Sequence, residues 1–334
     1  MFEKIYLPMV LTMFAGSTNV TTQTGEGQDL SPEMKTYYSD YLIDMAEPEL
    51  VHQQFGQKHP IPKGSGKTVE FRRYSPLPKA TTPLTEGVTP DGQKLHVSTI
   101  TGTVHQYGGY VELSDMLLMT AIDNNLVQAT ELLGSQAGRT LDTIVRDIIT
   151  AGHNVQYAEG QVDSRAELVG GAADGNHYLT VDAVRRAVRY LKKMNAPKIN
   201  GYYVGIIHPD VSYDLMSDPK WVNVKTYSDP DGIYEGEIGK IEGVRFVETT
   251  EGKVFEGKGA NGCDVYATMI LGANAYGVTE ISGGGLEMIV KQLGAGQDPL
   301  NQRATAGWKA TLTAERLVEE YMMRVETAST FSKG

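Results

Sequence analysis

The longest single rhythm of apolar and polar positions in the chain lies between Ser114 and Ala151. Leu126, Leu133, Ala137, Leu141, Ile144, Val145 and Ile148 recur there at multiples of three and four residues, one stripe of a 3.6-period helix. Ser114 with Asp115 supplies an N-terminal cap and Gly152 a stop. From Asn124 to Ala151 such a helix spans roughly 40 Å, so it reads as a strut joining two different halves.

Ahead of it, Met1 to Gln28 has a short apolar patch and then Ser, Thr, Gly and Asn without period, the pattern of a mobile arm. Ser31 caps a helix, Pro32 suits its first turn, and Met34, Tyr37, Tyr38, Tyr41, Leu42 and Met45 form a stripe that ends before Pro48. A helix this short is marginal alone, so the stripe needs a surface in this subunit or another. Thr68 to Tyr74 then alternates Val69, Phe71 and Arg73 against Glu70, Arg72 and Tyr74, which predicts a strand. Leu95 to Val111 is the returning limb, with Gly102, Gly108 and Gly109 placed for bulges or bends. Thr89-Pro90-Asp91-Gly92 marks a turn, so the expected object is a two-stranded arm with its tip near Asp91.

A lone hairpin is at best marginally stable in water, and this one has few large apolar residues. Its first limb concentrates Lys58, Lys63, Lys67, Arg72, Arg73 and Lys79, which suits contact with an acidic surface of another copy; the blander alternative is a solvated basic loop. The candidate contact residues are therefore Lys63, Lys67, Arg72, Arg73 and Lys79 of the arm, with Tyr37 and Tyr41 of the preceding helix.

After the strut, Asn154 to Gly175 is loop-like. Thr180 caps a helix that turns Val181, Val184, Ala187, Val188 and Leu191 inward and Arg185, Arg186, Arg189, Lys192 and Lys193 outward, stopping before Pro197. A strand at Gly201 to Ile207, a short helix at Asp210 to Met216, and strands at Val244 to Glu248, Tyr266 to Leu271 and Leu286 to Val290 follow. Trp308 to Thr327 reads as a strand-rich return to the region of the long helix.

Composition narrows the classes. The 334 residues suit two compact regions, and 40% hydrophobic with 21% charged residues is ordinary for a soluble globular protein. A net charge of −11 argues against a surface built to grip nucleic acid or anionic lipid, so any contact with DNA is expected to be loose. The single cysteine, Cys263, has no internal partner and no zinc-site spacing, which fits a reducing compartment. Pro8 and Thr12 interrupt the apolar run Tyr6 to Phe14, which reads against a signal peptide, and no apolar segment reaches the roughly 20 residues of a membrane span.

Motifs for chemistry fail one by one. Gly64-Ser65-Gly66-Lys67-Thr68 looks like the end of a phosphate loop, but Ile61 holds the upstream glycine position and a strand follows. Asp229-Pro230-Asp231-Gly232 resembles a calcium loop, yet Ile238 stands where the closing Glu belongs. The histidines have no metal spacing, His208-Pro209-Asp210 marks a strand-to-helix turn, and Cys263 has no evident base. Gly134 and Gly138 on the long helix favour close packing of a soluble partner. No catalytic, cofactor or metal residue is expected.

Several phrases resemble the major capsid proteins of tailed bacteriophages of the Hong Kong 97 type, in the branch typified by the podovirus N-four. They are Pro60-Ile61-Pro62-Lys63 running into Thr68-Val69-Glu70-Phe71-Arg72-Arg73, then Thr82-Pro83-Leu84-Thr85-Glu86-Gly87, Gly236 to Val244, Ile270 to Gly277, and Asp298-Pro299-Leu300-Asn301-Gln302-Arg303. The resemblance implies an α+β capsid fold. Its parts would be an N-terminal arm at 1–56, an extended loop at 57–110, a peripheral domain with spine helix at 111–175, an axial domain at 176–295 and a C-terminal return at 296–334. It further implies hexamers and pentamers in an icosahedral shell around double-stranded DNA, with no sequence-specific DNA binding and no membrane partner. A separate scaffolding protein, a portal and a decoration protein are the implied partners. Assembly would take place in the host bacterial cytoplasm and the protein would end in the virion. An encapsulin-like nanocompartment shell is the alternative within the fold; a nucleotide-dependent enzyme, resting on Gly66-Lys67-Thr68, is the one outside it.

Overall fold

Helix and strand positions follow the apolar rhythm closely, and the departures are informative. The computed structural model describes residues 42, 45–46, 50–60, 67–74, 77–89, 91–120, 125–158, 162–171, 177–221, 237–280, 286–293 and 300–332. Tyr37, Tyr41, Lys63, the start of the first helix, the glycines of the phosphate-loop look-alike and the turn at Asp229 lie outside them.

In chain order the elements are β1 (Gln57–His59), β2 (Thr68–Tyr74), β3 (Val97–Thr103), β4 (His105–Ser114), α1 (Asp115–Thr120), α2 (Asn125–Thr150) and β5 (Val155–Tyr157). Then come α3 (Val181–Lys193), β6 (Tyr203–Ile207), α4 (Pro209–Ser217), β7 (Glu237–Ile241), β8 (Val244–Glu248), β9 (Lys253–Phe255), β10 (Val265–Leu271) and β11 (Tyr276–Thr279). Strands β12 (Leu286–Lys291), β13 (Arg303–Leu312), β14 (Ala314–Arg316) and β15 (Met322–Thr327) complete the chain. The architecture is α+β, in two compact units.

The first unit holds the described residues within Met1–Met45, Gly108–Ala137 and Leu286–Lys309. Its sheet runs β12-β13-β4, and Leu113, Ala129, Leu133, Leu286, Met288, Val290, Ala306 and Trp308 are buried. Gly134 sits in close packing, as its sequence context suggested, but the partner is the same chain: a Cβ there would meet the Met45 Cβ at 2.7 Å and the Leu42 carbonyl at 3.1 Å. Leu42 is fully buried, so at least part of the sticky stripe ahead of Pro48 finds its surface within the subunit.

The second unit, 46–107 with 138–285 and 310–334, is built on a mixed sheet ordered β5-β15-β10-β6-β8-β7, with β9 also paired to β10. Every residue of β6 and β10 is buried, which is why both read as continuous apolar runs rather than alternating strands. Helix α3 buries Val181, Ala183, Val184, Ala187, Val188 and Leu191 in one core with Ile207, Ile270 and Val325. Thr180 Oγ1 accepts from Ala183 N at 3.2 Å, the N-cap expected from sequence. His208 caps α4 in the same way, its Nδ1 accepting from Asp210 N at 3.2 Å.

Four expectations change. Ser114 and Asp115 do cap a helix, through Leu117 N and Met116 N, but it is the six-residue α1 and not the long helix that begins at Asn125. The returning limb of the arm is two strands: β3 pairs with β2, whereas β4 joins β13. Gly108 and Gly109 serve close approach rather than bending, since a Cβ would lie 2.7 Å from the Trp308 carbonyl and 2.8 Å from Gln136 Oε1. The C-terminal return likewise divides, with β13 beside β4 and β15 paired to β10 inside the central sheet.

In helix α2 the buried apolar positions come at steps of four: Ala129, Leu133, Ala137, Leu141, Val145 and Ile149. Each step overshoots a full turn by about 40°, so the buried stripe winds around the helix instead of running straight. Ile149 thereby replaces Ile148, which is only half-buried. At the C-terminus Arg324 Nη1 donates to the Thr150 carbonyl and to that of Gly152 at 3.1 Å, placing a cation where the helix dipole favours one. Fully buried Glu326 holds this arginine and, at 2.6 and 2.7 Å, both nitrogens of the Arg165 fork.

Adjacent leucines test the stripe. Leu133→Ala should cost about 2–5 kcal/mol in denaturant unfolding, while Leu132→Ala, 71% exposed, should stay within about 0.5 kcal/mol. Equal costs would contradict the assignment of faces.

Candidate assembly surface

Strands β2 and β3 pair antiparallel from Thr68↔Thr103 to Tyr74↔Val97. The alternation of β2 decides what each side chain meets: Val69 and Phe71 are buried, whereas Glu70, Arg72 and Tyr74 are exposed. Phe71 has no accessible surface, contacts the His59 ring edge-on with centroids 4.8 Å apart, and packs where Gly277 of β11 leaves room; a Cβ on Gly277 would lie 2.5 Å from the Phe71 ring. Val69 and Phe71 share a small core with Leu317 and Val318.

Beyond Tyr74 the arm changes character. All residues of 77–89 and 91–99 are exposed, among them Leu77, Leu84, Val88, Leu95 and Val97. Two backbone hydrogen bonds, Thr81 N to Lys79 O and Val88 N to Thr85 O, are local turns. Lys67, Arg72 and Lys79 are exposed on the same limb. Arg73 is half-buried, its Nη2 3.9 Å from Glu320 Oε2, so one charge of the basic limb is partly answered within the subunit.

The platform beneath the arm rests on a buried polar cluster that sequence reasoning missed. His52 N donates to Asp142 Oδ1 at 2.6 Å, and His52 Nδ1 lies 2.6 Å from Oδ2, with both side chains sealed from solvent. The Tyr276 hydroxyl donates to the His52 carbonyl, and burial, with the Asp142 charge second, pushes that phenol well above its ordinary range. Parallel pairing of β1 with β11, Gln57↔Gly277 to His59↔Thr279, extends the same attachment. Asp142 was visible in principle as an acid inside an apolar stripe.

Among the described residues, Lys67 and Thr68 lead into a strand rather than a helix. The Cys263 thiol is fully buried and donates to the Leu168 carbonyl at 3.1 Å. Among the described residues no group of three acidic, His or Cys side chains could hold a metal, and no helix is long and apolar enough to cross a membrane.

A family model described as phage capsid protein matches residues 51–292, well over half of the chain. The chain belongs to the phage capsid protein family. It is similar in structure to the capsid of Ralstonia phage GP4, with 14% identity, 98% of each chain covered and a TM-score of 0.62. The capsid of cyanophage P-SCSP1u gives 16% identity over 84% of this chain and 88% of the other at TM-score 0.60. The head structure of Helicobacter pylori bacteriophage KHP40 gives 9% over 95% and 96% at 0.59. A search of curated protein sequences finds no match. The fold is of the Hong Kong 97 type, and this capsid protein is the structural subunit of a tailed-phage head shell. The nanocompartment alternative finds no support.

For this capsid protein, Asp142→Ala would leave the buried His52 N–H and ring nitrogen without their partner, and should lower unfolding free energy by about 3 kcal/mol. Asp142→Asn, which keeps one acceptor, should fall between. A loss below about 1 kcal/mol for the alanine variant in urea unfolding would show that the cluster does not anchor the platform.

Proposed function

We propose that the subunit assembles into hexamers and pentamers of an icosahedral head, each copy laying the 57–110 loop across a neighbour. The observation that carries this reading is the continuous exposure of 77–89 and 91–99, with five large apolar side chains in a segment that makes no core of its own. An arm anchored at its base and open along its length gains its remaining burial only from another copy. Tyr110, Met116, Leu117 and Met119 around α1 are similarly exposed and suit a second contact. Contacts of this kind bury on the order of 2,000 Å² or more.

In this reading the arm at 1–56 and the loop bind across subunits, 111–175 with 296–334 forms the peripheral part, and 176–295 gathers around the axes. Lys63, Lys67, Arg72, Arg73 and Lys79, with Tyr37 and Tyr41, are the proposed contact residues. A scaffolding protein and a portal act during assembly in the host cytoplasm, a decoration protein is an optional addition, and the subunit performs no catalysis.

Arg72→Glu combined with Arg73→Glu tests the basic limb. The double variant should fold, by circular dichroism and melting, and fail to form shells in electron microscopy. Normal particles from it would remove the limb from the assembly surface.

A further inference from the structure

Helix α3 carries a second concentration of positive charge, unrelated to the arm. Five of its 13 residues, Arg185, Arg186, Arg189, Lys192 and Lys193, are exposed, on a chain whose net charge is −11. At about 100° per residue they fill a sector of about 120°, opposite the face that enters the core. Arg185, at the N-terminal end, is answered by Asp182 at 3.1 Å and Glu242 at 2.7 Å, and Lys220 also reaches Asp182. The other four have no carboxylate within 4 Å among the described residues.

We propose that this outward face of α3 is a phosphate-binding surface for double-stranded DNA, so that the axial part of each subunit makes loose, sequence-independent contact with the enclosed genome. The partner's identity rests on the shell reading above; the charge pattern does not. Cations recurring every three or four residues lie about 5 Å apart along the helix axis, a spacing that can follow a polyphosphate strand, where one charge recurs about every 3.4 Å. An acidic protein fits less well. Protein interfaces are organised around buried apolar or aromatic anchors, and the apolar side chains of α3 are turned into its own core. The surface therefore offers charge without an anchor, which is the chemistry of backbone binding. It also reconciles an acidic chain with a DNA-filled interior: repulsion over most of the surface, attachment along one short stripe.

The test compares the full-length subunit with the Arg186→Glu, Arg189→Glu, Lys193→Glu variant, using a 30-base-pair mixed-sequence duplex, fluorescence anisotropy and a series of NaCl concentrations. The wild type should bind with a log–log salt slope of about −3 to −4, as neutralising about four phosphates requires. The variant should melt as the wild type does and lose at least tenfold in affinity, with a slope near zero. Should it fail to fold, Arg186→Gln with Arg189→Gln, which removes charge without reversing it, should still lose at least threefold. Equal binding by wild type and variant overturns the proposal. So does a wild type that shows no salt-dependent binding, or one that prefers poly-glutamate to duplex, which would assign the stripe to an acidic protein. Electron microscopy of the same preparations separates the two readings. Normal wild-type shells without duplex binding remove only this inference, whereas duplex binding without any shell formation, even on co-expression with the scaffolding protein, removes the assembly reading and leaves this one standing.

Discussion

The arm of this capsid protein depends on one side chain, Phe71. Full burial of a phenylalanine is worth about 1.5–3 kcal/mol, and here it is obtained against His59, Gly277 and the Leu317–Val318 corner. That contact fixes the register of β2 and, through it, which residues of the hairpin face outward. Val69 and Phe71 are both placed at the base, and the large apolar residues of the outer segment, Leu77, Leu84, Val88, Leu95 and Val97, are all exposed and make no core of their own. The result is an element stable at one end and unsatisfied at the other, a property suited to joining copies of the chain.

The platform below is stiffened by polar groups in places where apolar ones would pack more simply. Asp142 interrupts the buried stripe of α2 and holds both the backbone and the ring of His52, while Tyr276 closes the set from β11. Further along, Glu326 gathers Arg165 and Arg324, and Arg324 also ends α2. Such pairs add little net stability over a hydrophobic substitute, but losing one partner strands the other in a dry interior. The His52–Asp142 pair, closed by Tyr276, therefore sets a definite seat for the segment that leads into the arm.

Much of this architecture is legible in the order of residues alone. The alternation of Val69 and Phe71 places β2 at its observed limits, and the outward Arg and Lys of α3 read directly from a 3.6 period. Thr180 and His208 announce two helix starts. What is not legible is tertiary. Whether Leu95 to Val111 forms one strand or two depends on β13, some two hundred residues later, and nothing local records that pairing. Gly108 and Gly109 carry the same letters whether they bend a strand or admit Trp308 and its carbonyl. The His52–Asp142 pair spans ninety residues, so each member alone looks like an ordinary polar position.

The central claim is that the outer arm acquires its partner only on assembly, and amide hydrogen exchange reads this directly. In the free subunit, residues 77–89 and 91–96 should exchange at nearly unprotected rates while β2 and β10 are protected. In assembled particles the same segment should slow by at least a hundredfold. Protection already present in the free subunit, or none gained in the particle, would contradict the account.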